Sequence, residues 1–106
     1  MSDAYELRPA APPRTLSDEE HRLLRVWVTA ASGGVTAFVN QRRRDDPTII
    51  GRIVVIKRDT RKPLYSVYCP VGLDLWIVFS LVEMAEIGSF PSLRAALNFI
   101  QAVLPT

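Results

Sequence analysis

The chain is short of most residues that announce chemistry. Its 106 residues hold one histidine, His21, and one cysteine, Cys69. A single cysteine excludes an internal disulfide and a cysteine-rich zinc site, and a single histidine excludes a two-histidine metal site. Ser–His or Cys–His catalysis would depend on that one imidazole. The five glycines stand at 33, 34, 51, 72 and 88, too scattered for a G-x-G-x-x-G or P-loop phosphate cradle, and no G-x-S-x-G elbow occurs. Long apolar runs are missing too. The longest, LWIVFSLV at 75–82, is eight residues with a serine inside, whereas a membrane-spanning helix needs about 20. The expectation is of no membrane span, no cofactor, no metal and no enzymatic machinery.

What is present describes an ordinary globular protein. An apolar content of 48% with 23% charged residues supports one domain with a hydrophobic core. The net charge of +2 is unevenly spread. Between Arg42 and Lys62 stand eight basic residues against three acids, a local +5, which leaves −3 for the rest. Such asymmetry marks a candidate anion-binding or nucleic-acid-binding face.

Residues 1–15 include Pro9, Pro12 and Pro13 and no apolar periodicity, and read as a flexible tail ahead of a single domain over 16–106. The start, MSDAYELRPAAPPR, lacks the basic and apolar regions of a secretory leader, and with one cysteine a reducing cytoplasm is the expected location. Ser17-Asp18-Glu19-Glu20 is a capping box, in which the Ser17 hydroxyl accepts from the Glu20 amide and the Glu20 carboxylate from the Ser17 amide. Leu23, Leu24, Trp27, Val28 and Ala31 follow at helical spacing, one apolar stripe directed to a core.

Residues 35–43 suit either a strand or a two-turn helix, and their place between a Gly pair and Asp45-Asp46-Pro47 favours helix. IIGRIVVIK, LYSVYC and LWIVFSLV read as three strands joined by the short turns RDTRKP and PVGLD, and short connections make neighbours antiparallel. A helix over 75–86 is the rival reading of the third. Ser92 caps a last helix whose apolar stripe is Leu93, Ala96, Leu97, Ile100 and Leu104.

The fold expected is therefore α+β: an N-terminal helix, a three-stranded antiparallel meander and a C-terminal helix packed on the sheet. That order is similar to the order in double-stranded-RNA-binding domains. Those domains present lysines at the start of the final helix, where this chain has FPSLRAAL with Arg94 alone.

Two surfaces are candidates for function. The first is apolar: Trp76, Val78 and Val82 share one side of the third strand, while Leu75, Ile77, Phe79 and Leu81 share the other. Helices that cover only one set leave the other open to a homodimer or a protein partner, and Trp76, Val78 and Val82 are taken as that interaction face. The second is basic. Arg42, Arg43 and Arg44, extended by Lys57, Arg58, Arg61 and Lys62, would hold a nucleic-acid backbone, with Tyr65 or Tyr68 stacking on bases. The bland reading of QRRRDD at 41–46 is a charge-balanced loop. His21, with Asp18 and Arg25 at i−3 and i+4, reads as a surface residue, and Cys69 as a buried structural one. A small non-enzymatic interaction protein that pairs with itself is the leading expectation.

Overall fold

The computed structural model describes residues 13–31, 34–40 and 51–104. Helix α1 (Asp18–Ala30) leads into strands β1 (Val35–Val39), β2 (Ile53–Lys57), β3 (Pro63–Tyr68), β4 (Trp76–Ser80) and β5 (Ala85–Phe90), and helix α2 (Leu93–Val103) closes the chain. The strands form one antiparallel sheet in the order β1-β2-β3-β4-β5.

The α+β class and the meander are as expected, but a three-stranded sheet is not. VTAFV is strand β1, not a helix, and AEIGSF is strand β5 where only a connection was expected. Five residues are too few for periodicity to separate helix from strand, and β1 is decided by its register against β2, from Val35 opposite Lys57 to Val39 opposite Ile53. In β5 the weak strand formers Glu86, Gly88 and Ser89 hide the signal. The strand also carries a bulge: Gly88 pairs with Val78 and Glu86 with Phe79, so that Ile87 is extra. The likeness to double-stranded-RNA-binding domains in element order goes with the third strand count.

Alternation along the strands assigns the two faces. Val35, Val55, Ile53, Val67, Trp76 and Val78 point to one side and pack with Leu24, Leu93, Ala96, Leu97 and Ile100 of the two helices into one core. Ile53, Val55, Val67, Val78, Leu97 and Ile100 are all but inaccessible. Each such branched side chain removed from water contributes about 1.5–3 kcal/mol, so this layer holds the helices to the sheet. Both helices start at a serine cap. Ser17 Oγ accepts from the Glu20 amide at 3.2 Å while Glu20 Oε1 accepts from the Ser17 amide at 2.9 Å, and Ser92 Oγ accepts from the Ala95 amide at 3.1 Å.

The segment before α1 is part of the domain. Pro13 forms a bridge with Pro70, and the Arg14 amide donates to the Cys69 carbonyl at 2.8 Å. The Arg14 guanidinium donates to both carboxylate oxygens of Glu20 at 2.9 and 2.8 Å and lies 5.0 Å from the centre of the Trp76 ring. The tail read over 1–15 thus yields residues 13–15 to the domain. Residues 1–12 lie outside the described part.

Gly51 sits against this strap. Its φ is +91°, and a Cβ placed on it would stand 2.8 Å from the Arg14 carbonyl oxygen. Backbone conformation and space both require glycine. Gly51→Ala is expected to cost about 1–3 kcal/mol in urea denaturation, with the loss shared by a drop in amide protection at Arg14.

Arg14 most of all holds the Glu20 carboxyl below the ordinary carboxylate range, with burial opposing and the Ser17 amide adding to it. Because the folded value lies below the unfolded one, the stabilisation is complete above the unfolded glutamate value of about 4.3 and is lost as pH falls through the folded value. Glu20→Gln is therefore expected to be less stable than wild type at neutral pH, with the gap closing below about pH 4. Urea midpoints taken across that range check it; a gap that stays constant with pH would contradict it.

Candidate functional site

With both helices on one side, the opposite face of the sheet has no covering element among the described residues. The strand registers lay out its central row: Phe38 on β1 stands beside Val54 on β2, Val54 beside Ser66 on β3, Ser66 beside Phe79 on β4, and Phe79 beside Glu86 on β5. A second row runs through Tyr68 and Ile77. Phe38 is 44% exposed, while Val54, Tyr68, Ile77 and Phe79 are half-buried by their neighbours in the sheet.

The face is not flat. Ser66, a small residue at its centre and only 5% exposed, forms the floor of a concavity of about 420 Å³ walled by Asn40, Arg52, Val54, Tyr68, Phe79 and Leu81. Most of this wall is apolar. Asn40 and Arg52 are the polar exceptions, and Arg52 is fixed in place: its guanidinium lies 3.9 Å above the centre of the Tyr68 ring and donates to Ser66 Oγ at 3.4 Å. Stacking on the ring holds the cation against the sheet and offsets the cost of placing it among apolar groups.

The residues chosen from the sequence fall in different places. Trp76 and Val78, 3% and 0% exposed, are on the helix-facing side of β4 and form the core. Val82 is exposed, but in the turn after β4. An interaction face made of these three does not exist in the fold, because β4 buries the side that carries Trp76 and Val78. The uncovered side carries Ile77 and Phe79 instead. Both sides of β4 carry large apolar residues, and Ser80 lies on the buried one, so alternation alone does not tell which side the helices take.

Of the basic residues, Arg42, Arg43 and Arg44 lie outside the described part. Lys57, Arg58, Arg61 and Lys62 are exposed at the β2–β3 turn, where Arg61 adopts a positive φ of 63° and Arg58 donates to the Val35 carbonyl at 2.9 Å. The turn leaves the Lys57 end of β2. The connection carrying Arg42–Arg44 is anchored at Asn40 and Gly51, beyond the other end, about 15 Å away along a five-residue strand. Tyr68 is stacked under Arg52, and Tyr65 packs against the core. Of the basic candidates, the described ones are thus a cluster at the β2–β3 turn.

Cys69 is buried, and its thiol donates to the Leu73 carbonyl at 3.3 Å. His21 is on α1, beside β1. Among the described residues no three His, Cys, Asp or Glu side chains gather as metal ligands, and no helix is long and apolar enough to cross a membrane. Sequence reasoning missed Arg52, Ser66 and Phe38. Arg52, between Ile49-Ile50-Gly51 and IVVIK, is the one signal available, a cation opening an apolar strand.

No protein-family model matches the chain, and neither the curated proteins nor the solved structures give a significant match.

Proposed function

We propose that this protein is a non-enzymatic interaction module that pairs with a second copy of itself through the open face of its sheet. One observation carries the reading. The row Phe38, Val54, Ser66, Phe79, flanked by Tyr68 and Ile77, is apolar or aromatic at every position but the small, buried Ser66, with no described element over it. An antiparallel sheet with one face on a core ordinarily turns polar residues to the other. An apolar second face is a surface suited to another protein.

The area sets the strength. Five strands about 4.8 Å apart and five residues long at about 3.3 Å give a face of about 400 Å² in projection. Two copies face to face remove about 800 Å² in projection, and more with side-chain relief, near the lower bound of about 1,000 Å² for a specific interface. The dimer proposed is therefore a reversible one. A reducing cytoplasm suits the buried, unoxidised thiol of Cys69 and belongs to the same proposal.

Nucleic-acid binding has less support, because one of its described cations, Arg58, is committed to the Val35 carbonyl and Tyr68, a base-stacking candidate, is already stacked under Arg52.

Light scattering during size exclusion tests the proposal. The molar mass is expected to rise with concentration from the 11.9 kDa of one chain towards twice that, with little effect of salt. Phe79→Asp, which places a charge at the centre of the face, is expected to stay at the single-chain mass with an unchanged circular dichroism spectrum. A wild type that remains a single chain at millimolar concentration sinks the reading. So does a Phe79→Asp variant that still doubles. Random-sequence RNA bound tightly at low salt and released at moderate salt would favour the basic clusters instead.

A further inference from the structure

The two edges of the sheet are not alike. β5 is interrupted by the bulge at Ile87 and carries Glu86 and Gly88, devices that keep an edge from pairing with another chain. β1 has none of them. VTAFV contains no charge and no proline, and its register against β2 runs unbroken through all five residues.

The ladder fixes which backbone groups of β1 look outward. The Asn40 amide donates to the Arg52 carbonyl and the Arg58 amide to the Gly34 carbonyl. Hydrogen-bonded positions alternate in an antiparallel pair, so Thr36 and Phe38 turn their N–H and C=O groups to β2, and Val35, Ala37 and Val39 turn theirs away. The Arg58 side chain occupies the Val35 carbonyl at 2.9 Å. Ala37 and Val39 are left with outward N–H and C=O groups that no described group meets.

Beside them runs a groove. His21, Leu24, Arg25, Val28 and Thr29, successive positions of one stripe on α1, form one wall, and Ala37, Phe38 and Val39 the other, around about 440 Å³. Residues from both faces of β1 contribute, so the groove follows the strand's outer edge. Among the described residues, His21 and Arg25 are its ionisable lining residues, with Arg58 at the Val35 end, and no carboxylate lines it.

We infer that this edge is a strand-addition site for an extended acidic peptide segment of a partner protein. Ala37 and Val39 supply the main-chain hydrogen bonds. Alternate side chains of the added strand point to the two sides of the sheet: carboxylates towards Arg25 and His21 on the helix side, apolar groups against Phe38 on the other. A second copy fits less well. Two β1 strands paired about Ala37 would set Val39 of one against the Val35 carbonyl that Arg58 already holds, and would bring the cations of the two grooves together.

The test is titration of a fluorescein-labelled, acetylated octapeptide of alternating valine and glutamate, followed by anisotropy and by the backbone amide spectrum. Binding in the micromolar range is expected, with the Ala37 and Val39 amides shifted and slowed in hydrogen exchange. Arg25→Glu should weaken it about tenfold or more. Ala37→Pro removes an outward N–H and no ladder bond, a substitution edge strands accept, and should abolish binding while the thermal midpoint stays near wild type. Arg25→Glu keeps the test sound if the proline variant fails to fold. Equal affinity for a control octapeptide of alternating valine and lysine, binding retained in a folded Ala37→Pro, or no change at the two amides would overturn the inference. So would a double-mass species that Ala37→Pro removes and Phe79→Asp does not, which would make the edge a contact between copies.

Discussion

Two helices of 13 and 11 residues are all the cover that the described chain lays on five strands. Helices pack about 10 Å across, and a five-stranded sheet is about twice that in width, so two side by side cover one face and nothing remains for the other. This ratio of layers governs the rest of the molecule. It places Trp76 and Val78 in the core and Ile77 and Phe79 outside it, and makes the uncovered face the first candidate for a partner.

The buried side is built for permanence and the open side for adjustment. Towards the helices the strands contribute branched residues with almost no accessible surface, Ile53, Val55, Val67 and Val78, and such side chains have few rotamers to choose from. Away from the helices they contribute aromatics around a serine-floored dip, with one guanidinium stacked on one ring. Aromatic and arginine side chains present large contact areas, and they are the residues that protein interfaces favour. The two faces of one sheet thus differ in both accessibility and residue type.

Much of this was legible in the sequence wherever a local signal had a local cause. The reciprocal Ser17–Glu20 cap, the stripe of α1, the Ser92 start of α2 and the hairpin from β2 to β3 each follow from residues within a few positions of one another. What was hidden depends on distant partners. β1 is a strand because β2 lies beside it, and β5 because β4 does; neither segment has the length or composition to declare itself. The faces of β4 are a clearer case, since Trp76 and Val78 against Ile77 and Phe79 is an even choice until the helices are placed. Arg14 shows the same thing at the chain's start, where its amide meets a carbonyl 55 positions away. Proline-rich sequence ahead of the first helix said nothing of that bond.

That last contact also bears on how the chain folds. The hairpins from β2 to β5 join neighbours in sequence and can form early, since closing a short loop costs little chain entropy. The strap cannot. Arg14 needs the Cys69 carbonyl, and its own carbonyl must find Gly51, so residues 13 and 14, which precede both partners in the chain, are seated only after them. Until β3 is in place, the apolar stripe of α1 has no sheet to lie on, while the acidic first turn with Arg14 beside it is held by contacts local in sequence. For this strap, place in the chain and turn in assembly run in opposite directions.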